Sequence, residues 1–113
     1  MDRIAEYRCL IKGILTDFAE WANNDPGQQS EMICIFDEMR DYYMVLRAHW
    51  GQFRCVDGSQ IFVRICDDKI RIEEDWTEEG VSTKLLQAGV SKNEIVLGFQ
   101  PPEMRQYTEF AVA

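Results

Sequence analysis

Residues 61–99 constrain the fold most strongly, because their pattern predicts a strand, a tight turn, a strand, a capped helix and a final strand. Apolar and polar residues alternate on both sides of Asp67-Asp68, as they do in paired strands with one buried face. The turn joins residues 53–66 to a strand at 69–74. The predicted inward-facing residues are Ile61, Val63, Ile65, Ile70 and Ile72. This stretch therefore predicts a hairpin.

A short second helix is predicted next, with signals at both of its ends. Thr77 is the predicted N-cap, and Glu78 and Glu79 follow where the helix dipole favours negative charge. At the other end, Gly89 supplies the left-handed residue, and Val90 can fold back against the last turn. The predicted apolar face consists of Val81, Leu85 and Ala88.

The residues after this helix predict one more turn and one more strand. Ser91 and Glu94 have the spacing of a capping box, which predicts a single helical turn. Residues 95–97, Ile-Val-Leu, then form a short buried strand, and Gly98 ends it.

Residues 2–22 are predicted to form an amphipathic helix. Asp2 can serve as its N-cap, and the run 23–27 ends it because Pro26 disfavours helical backbone in the residue before it. Its apolar residues recur at three- and four-residue steps and are Ile4, Tyr7, Ile11, Ile14, Leu15, Phe18 and Ala22. We expect this stripe to pack on the sheet of the same domain.

Two further strands, 32–37 and 42–50, are predicted to pair across a polar loop at 37–41. The second strand alternates, which suits an antiparallel sheet with one buried face and one partly wet face. The predicted buried face carries Tyr42, Met44, Leu46, Ala48 and Trp50. The wetter face carries Tyr43, Val45, Arg47 and His49.

Residues 53–66 allow two interpretations. Asp57-Gly58 is a strong signal for a two-residue hairpin. A turn there leaves residues 53–56 as a stub, so one long strand bent by a glycine bulge is preferred. The elements together predict one α+β domain over residues 1–113, in which an antiparallel β-sheet is covered by the N-terminal helix and a second, shorter helix. The strand order stays open.

The charge disfavours direct binding to DNA. Twenty acidic residues against twelve basic ones give a net charge of −8, and the basic residues are dispersed singly. Duplex DNA requires Lys and Arg to neutralise phosphates. An acidic domain can instead attract a basic protein partner, or its charge can serve solubility alone. Asp2 and Glu6 interrupt any apolar leader, so we expect a cytoplasmic protein that does not contact the membrane.

Catalytic and metal-binding signals are weak. His49 is the single histidine and the four cysteines lack paired ligand spacing, so no metal site is predicted. Those cysteines lie in apolar elements and are expected to be reduced and to behave as small hydrophobic residues. Without a phosphate-binding loop or nucleotide fingerprint, no cofactor and no catalytic residue is predicted. Asp67, Asp68 and Lys69 resemble half of a Mg²⁺-dependent nuclease site, although a solvated β-turn is the simpler interpretation.

The C-terminal residues 95–113 carry apolar groups to their end, including Tyr107, Phe110 and Val112. Chain ends are usually frayed and polar unless they are tied down. We therefore expect this segment to dock, preferably on its own core and otherwise on a partner or on a second copy. If a partner is bound, Arg105, Tyr107 and Phe110 are the predicted contact residues.

Several long segments resemble the XisI family, the cyanobacterial fdxN-element excision controlling factors. Tyr7 and Ile11 carry the resemblance in the first helix. Further on, it is carried by FDEMRDYYMVLRAHWG at 36–51 and KIRIEEDWTEEGV at 69–81, and most specifically by LLQAGVSKNEIVLGFQPPEMRQYTEFAVA at 85–113.

The resemblance implies an accessory factor needed when a separate site-specific recombinase excises a DNA element during heterocyst differentiation. Such proteins commonly accompany XisH, a nuclease-like partner, and the family offers no catalytic residues to carry over. We therefore expect a non-enzymatic protein that binds an XisH-like protein, acts on DNA indirectly, and has self-association as an option. The alternatives are a direct DNA-binding, excisionase-like factor and a metal-dependent nuclease using Asp67, Asp68 and Lys69.

Overall fold

The computed structural model describes residues 2–27, 30–50 and 53–113. The elements in chain order are helix α1 (Arg3–Asn23), strands β1 (Ser30–Asp37), β2 (Tyr42–Trp50), β3 (Arg54–Cys66) and β4 (Lys69–Asp75), helix α2 (Val81–Gln87) and strand β5 (Ile95–Leu97). Two 3-10 helices, Lys92–Glu94 and Pro102–Tyr107, flank β5. These elements confirm the predicted α+β class with two covering helices.

The strands of the sheet are arranged in the order β1-β2-β3-β4-β5. The first four pair antiparallel with their neighbours, as predicted. Strand β5 departs from the prediction, because it pairs with β4 in parallel, with Ile70 opposite Ile95. A parallel pair needs a crossover, and α2 provides it between these two strands.

Helix α1 begins at the predicted cap and packs the predicted stripe against the core. The Asp2 carboxylate accepts a hydrogen bond from the Ile4 backbone N–H at 3.1 Å. Tyr7, Ile11 and Leu15 are buried in one core with residues of β2, β3, β4, α2 and β5. The packing of α1 on the sheet of its own domain is therefore confirmed.

The prediction of which face of β2 is buried is wrong. Tyr43 and Val45 are fully buried in the core shared with α1, whereas Tyr42 is exposed and Met44 and Leu46 are only half-buried. Both faces of this strand carry apolar residues, so their alternation does not reveal which face the helices cover.

Strand β3 is one long strand with a bulge at glycine, as preferred. Its pairing with β2 shifts register between Arg47 and Ala48, beside Gly58. Gly58 has a φ of 127°, which glycine adopts without steric cost. Ala48 is buried as predicted, and the side chain of Trp50 lies outside the described residues. Of the cysteines, Cys9 and Cys55 are exposed, so the expectation that they pack as small hydrophobic residues is wrong.

Helix α2 starts three residues later than predicted, at Val81 rather than at Glu78, directly after Thr77. The Thr77 hydroxyl donates to Asp75 Oδ1 at 2.6 Å and accepts from the Gly80 N–H at 3.1 Å, so it stabilises a turn ahead of the helix. The other Asp75 oxygen accepts from the Val81 N–H at 2.6 Å and takes over the capping role. Glu78 therefore lies outside the helix.

The C-terminal end of α2 matches its prediction closely. Gly89 has a φ of 97°, and its N–H and that of Val90 donate back to Leu86 and Leu85, which is the Schellman pattern. Ala88, in contrast, is exposed at the cap instead of sharing the buried face. The turn at Lys92–Glu94 is present, but Ser91 makes no side-chain cap bond, so the predicted capping box is not formed.

Candidate partner-binding surface

Residues 98–113 form a segment that is fixed along the edge of β5. The 3-10 helix Pro102–Tyr107 lies in its middle. Beyond it, Ala111 forms a parallel bridge with Val96, and its N–H donates to the Ile95 carbonyl at 2.8 Å. The preferred prediction, docking of the C-terminal segment on its own domain, is therefore confirmed.

The buried side chain of Arg105 holds this segment in place through hydrogen bonds to its backbone. Its side chain is only 7% exposed. The guanidinium donates from Nε to the Gln100 carbonyl at 3.1 Å and from Nη2 to the Gly98 carbonyl at 3.3 Å. A buried guanidinium needs such acceptors because its donors otherwise lose their hydrogen bonds to water. Arg105 is thus a positioning residue for the segment.

Phe110, one ion pair and one hydrogen bond secure the outer part of the same segment. Phe110 packs against the hydrophobic core. Lys92 forms an ion pair with Glu109 at 2.5 Å and thereby lowers the pKa of that carboxyl. Lys69 donates to the Ala113 carbonyl oxygen at 2.6 Å. These contacts favour a segment that keeps one conformation and presents the remaining side chains outward.

Tyr107 is the predicted contact residue that stays available at the surface, since its side chain is 76% exposed. Three more large apolar side chains are exposed on the segment, and we call the set the C-terminal apolar residues: Phe99, Met104, Tyr107 and Val112. Exposed large apolar side chains on a fixed backbone are candidates for burial in a partner. Phe99 and Met104 were not among the predicted contact residues, although their position around Pro101-Pro102 was a usable signal.

Gly98 is the residue at which the segment leaves the sheet, and its backbone lies close to β4. Its N–H donates to the Ile72 carbonyl at 2.7 Å. A Cβ at this position would lie 3.0 Å from the same oxygen and would also meet the Glu73 carboxylate. Only glycine allows this approach without displacement of β4 or of its acidic side chain.

The Asp67-Asp68-Lys69 string forms the tight turn between β3 and β4. Asp67 and Asp68 have φ values of 53° and 63°, as the central residues of a type I′ hairpin require. Lys69 is engaged with Ala113, as described above. Within residues 2–27, 30–50 and 53–113, no three His, Cys, Asp or Glu side chains are grouped as metal ligands. The predicted turn is confirmed, and the nuclease alternative stays a prediction without further support.

Within residues 2–27, 30–50 and 53–113, no helix is long and apolar enough to cross a bilayer.

Comparisons with known proteins point in one direction. A family model described as XisI protein matches residues 1–112. A XisI-like protein from Anabaena variabilis, known from a crystal structure, shares 32% sequence identity with this chain. The match covers 96% of this chain and 98% of that chain, with a TM-score of 0.83. The fdxN element excision controlling factor XisI from the same organism is 34% identical, covers 99% and 100% of the two chains, and gives a TM-score of 0.85. No curated protein matches the sequence.

Proposed function

Because the chain belongs to the XisI family, we propose that it is an excision controlling factor that acts in programmed, site-specific DNA excision during heterocyst differentiation. The observation that carries this proposal is the near-complete match to a solved structure described as the fdxN element excision controlling factor XisI. The proposed role is that of a non-catalytic cytoplasmic partner of an XisH-like, nuclease-type protein. In this proposal the XisH-like protein contacts the DNA, and this chain acts on DNA indirectly.

The charge of the chain supports a protein partner over bare DNA. The net charge of −8 repels phosphates and attracts a basic protein surface. A basic DNA-processing partner is therefore attracted to this domain before or while it engages DNA. The domain then contributes shape and negative charge to the complex.

The geometry of residues 98–113 supports the C-terminal apolar residues as the contact with this partner. Tyr107 projects from a backbone that Arg105 and Phe110 fix from the inside. An aromatic side chain on a preorganised segment loses little conformational entropy when it becomes buried in a partner.

Coexpression tests the proposal. The protein and an XisH-like protein encoded in the same genome should copurify as one complex through affinity and size-exclusion steps. Electrophoretic mobility of duplex DNA should change when both proteins are present, and not with this protein alone at low salt. Separate elution of the two proteins at micromolar concentration would contradict the proposed partnership, and DNA retention by this chain alone would favour the direct-binding alternative.

A further inference from the structure

A second surface, lined by residues outside the C-terminal segment, forms a groove of about 770 Å³. It lies between the second half of α1 and the loop that leads from β4 into α2. The apolar side chains that line it include Ile14, Phe18, Met32 and Val81. Ile14, Phe18 and Met32 are partly exposed there, so within the described residues they offer an apolar floor to the groove.

Two tryptophans flank this groove, and both are largely exposed. Trp21 is 73% exposed and packs beside the Phe18 ring, with the ring centres 6.2 Å apart. Trp76 is 70% exposed and belongs to the loop on the other side. Tryptophan is the residue whose burial contributes most often to binding hot spots, so two exposed rings on one groove indicate a binding surface.

The loop that carries Trp76 is held in place by several hydrogen bonds. Its backbone N–H donates to the Gln60 carbonyl at 3.0 Å, and the Gln60 side-chain amide donates to the Trp76 carbonyl at 3.3 Å. The indole N–H donates to the Glu74 carboxylate at 3.3 Å. Asp75 adds the bonds to Thr77 and Val81 described above. A ring fixed in this way is preorganised for a ligand.

The rim of the groove is acidic. Asp17, Glu78 and Glu79 line it with exposed carboxylates. The lysine in the lining, Lys84, is paired with Glu79 at 3.2 Å and so leaves the negative sign of the rim in place. Cations are attracted both by such carboxylates and by the faces of tryptophan rings.

We propose that this groove binds a cationic, amphipathic segment of a partner protein, whose Lys or Arg side chains meet the acidic rim and the tryptophan faces while its apolar side chains cover the floor. A second copy of the chain does not fit this description. The basic residues of its amphipathic helix α1, Arg3, Arg8 and Lys12, are paired with carboxylates of the same chain, and the chain carries a net charge of −8. Two copies would therefore bring like charges together at the rim.

The experiment uses a fluorescein-labelled helical peptide of Lys, Arg and Leu, with the leucines on one face, titrated with the intact protein and followed by fluorescence anisotropy. A peptide of the same pattern with Glu in place of Lys and Arg is the charge control. We expect binding of the cationic peptide alone, weaker at physiological than at low salt. Trp76→Ala and Trp21→Ala should each weaken it about tenfold or more.

Matched variants separate the groove from general charge attraction. Phe53→Ala removes an exposed ring outside the groove, and Glu103→Lys reverses an exposed charge outside it. Both should bind within about twofold of the unmodified protein, whereas Glu78→Lys should bind about tenfold more weakly. Circular dichroism checks that each variant is folded. Equal weakening by groove and control variants, or no binding of the cationic peptide at low salt, overturns the proposal. Since no XisH-like protein is used, the result is independent of the proposed partnership.

Discussion

Arg8 and Asp41 form a two-pronged ion pair across 33 positions of sequence, with Nε 2.7 Å from Oδ1 and Nη2 3.2 Å from Oδ2. The pair joins α1 to the turn between β1 and β2. The Tyr43 hydroxyl donates to the same carboxylate at 2.8 Å. These hydrogen bonds, first that from Arg8, lower the pKa of Asp41, and burial together with the bond to this carboxylate raises the pKa of Tyr43. The turn residue is thus fixed by charge as well as by backbone pairing.

Asp41→Asn should reduce the loss of stability in acid. The pKa of Asp41 is lower in the folded than in the unfolded chain, so its contribution is complete above an unfolded pKa of about 3.9 and is lost as the pH falls through the folded pKa. Asparagine tolerates the positive φ of 57° at this position. Urea unfolding from neutral pH downward should show a flatter pH profile for the variant. Parallel profiles for the two proteins would contradict this.

Glycine-to-alanine changes at two positions should shift the unfolding free energy in opposite directions. Gly89→Ala places a Cβ at a φ of 97°, which costs about 1–2 kcal/mol of unfolding free energy. Gly13→Ala lies within α1, where nothing is within 4 Å of the new Cβ, so it should stabilise by about 0.4–1 kcal/mol. Denaturant unfolding of both variants measures the difference. Stabilisation by Gly89→Ala would contradict the described end of α2, and destabilisation by Gly13→Ala would contradict the open surroundings of Gly13.

Two isoleucines test which face of the sheet is buried. Ile72 is fully buried, so Ile72→Ala should cost about 2–5 kcal/mol of unfolding free energy. Ile35 is 46% exposed, and Ile35→Ala should cost about 1 kcal/mol or less. Chemical denaturation under identical conditions gives both values. Similar losses would mean that the outer face of the sheet is covered as well.

Arg105 and Tyr107 should differ in their effect on stability. Arg105→Ala removes the donors to Gly98 and Gln100 and should cost about 1–3 kcal/mol. Tyr107→Ala should change the unfolding free energy by less than about 0.5 kcal/mol because the ring is exposed. Thermal unfolding of the two variants compares them directly. A large loss with Tyr107→Ala would place that ring in the core.

Local signals made most of the fold predictable from the sequence. The Asp2 cap, the turn at Asp67-Asp68, the bulge at Gly58 and the end of α2 at Gly89 each depend on the conformational preference of one or two residues. Such preferences are visible in a single sequence because the interacting groups lie within a few positions of each other.

The outcome was not predictable in the same way where two local patterns compete or where distant elements pack together. The capping of α2 by Asp75 depends on a turn that competes with the Thr77 cap, and both patterns look alike in sequence. The buried face of β2 depends on where α1 packs. At the candidate site, the apolar end of the chain predicted docking, but only the structure separates the inward Arg105 from the outward Tyr107.

The affinity for an XisH-like protein from the same genome tests the central claim most directly. Isothermal titration calorimetry should give micromolar or tighter binding by the unmodified protein, about tenfold weaker binding by Tyr107→Ala, and unchanged binding by the exposed control Phe53→Ala. No heat of binding for the unmodified protein at micromolar concentration would contradict the proposed partnership. Equal binding by all three proteins would remove the C-terminal apolar residues from the interface.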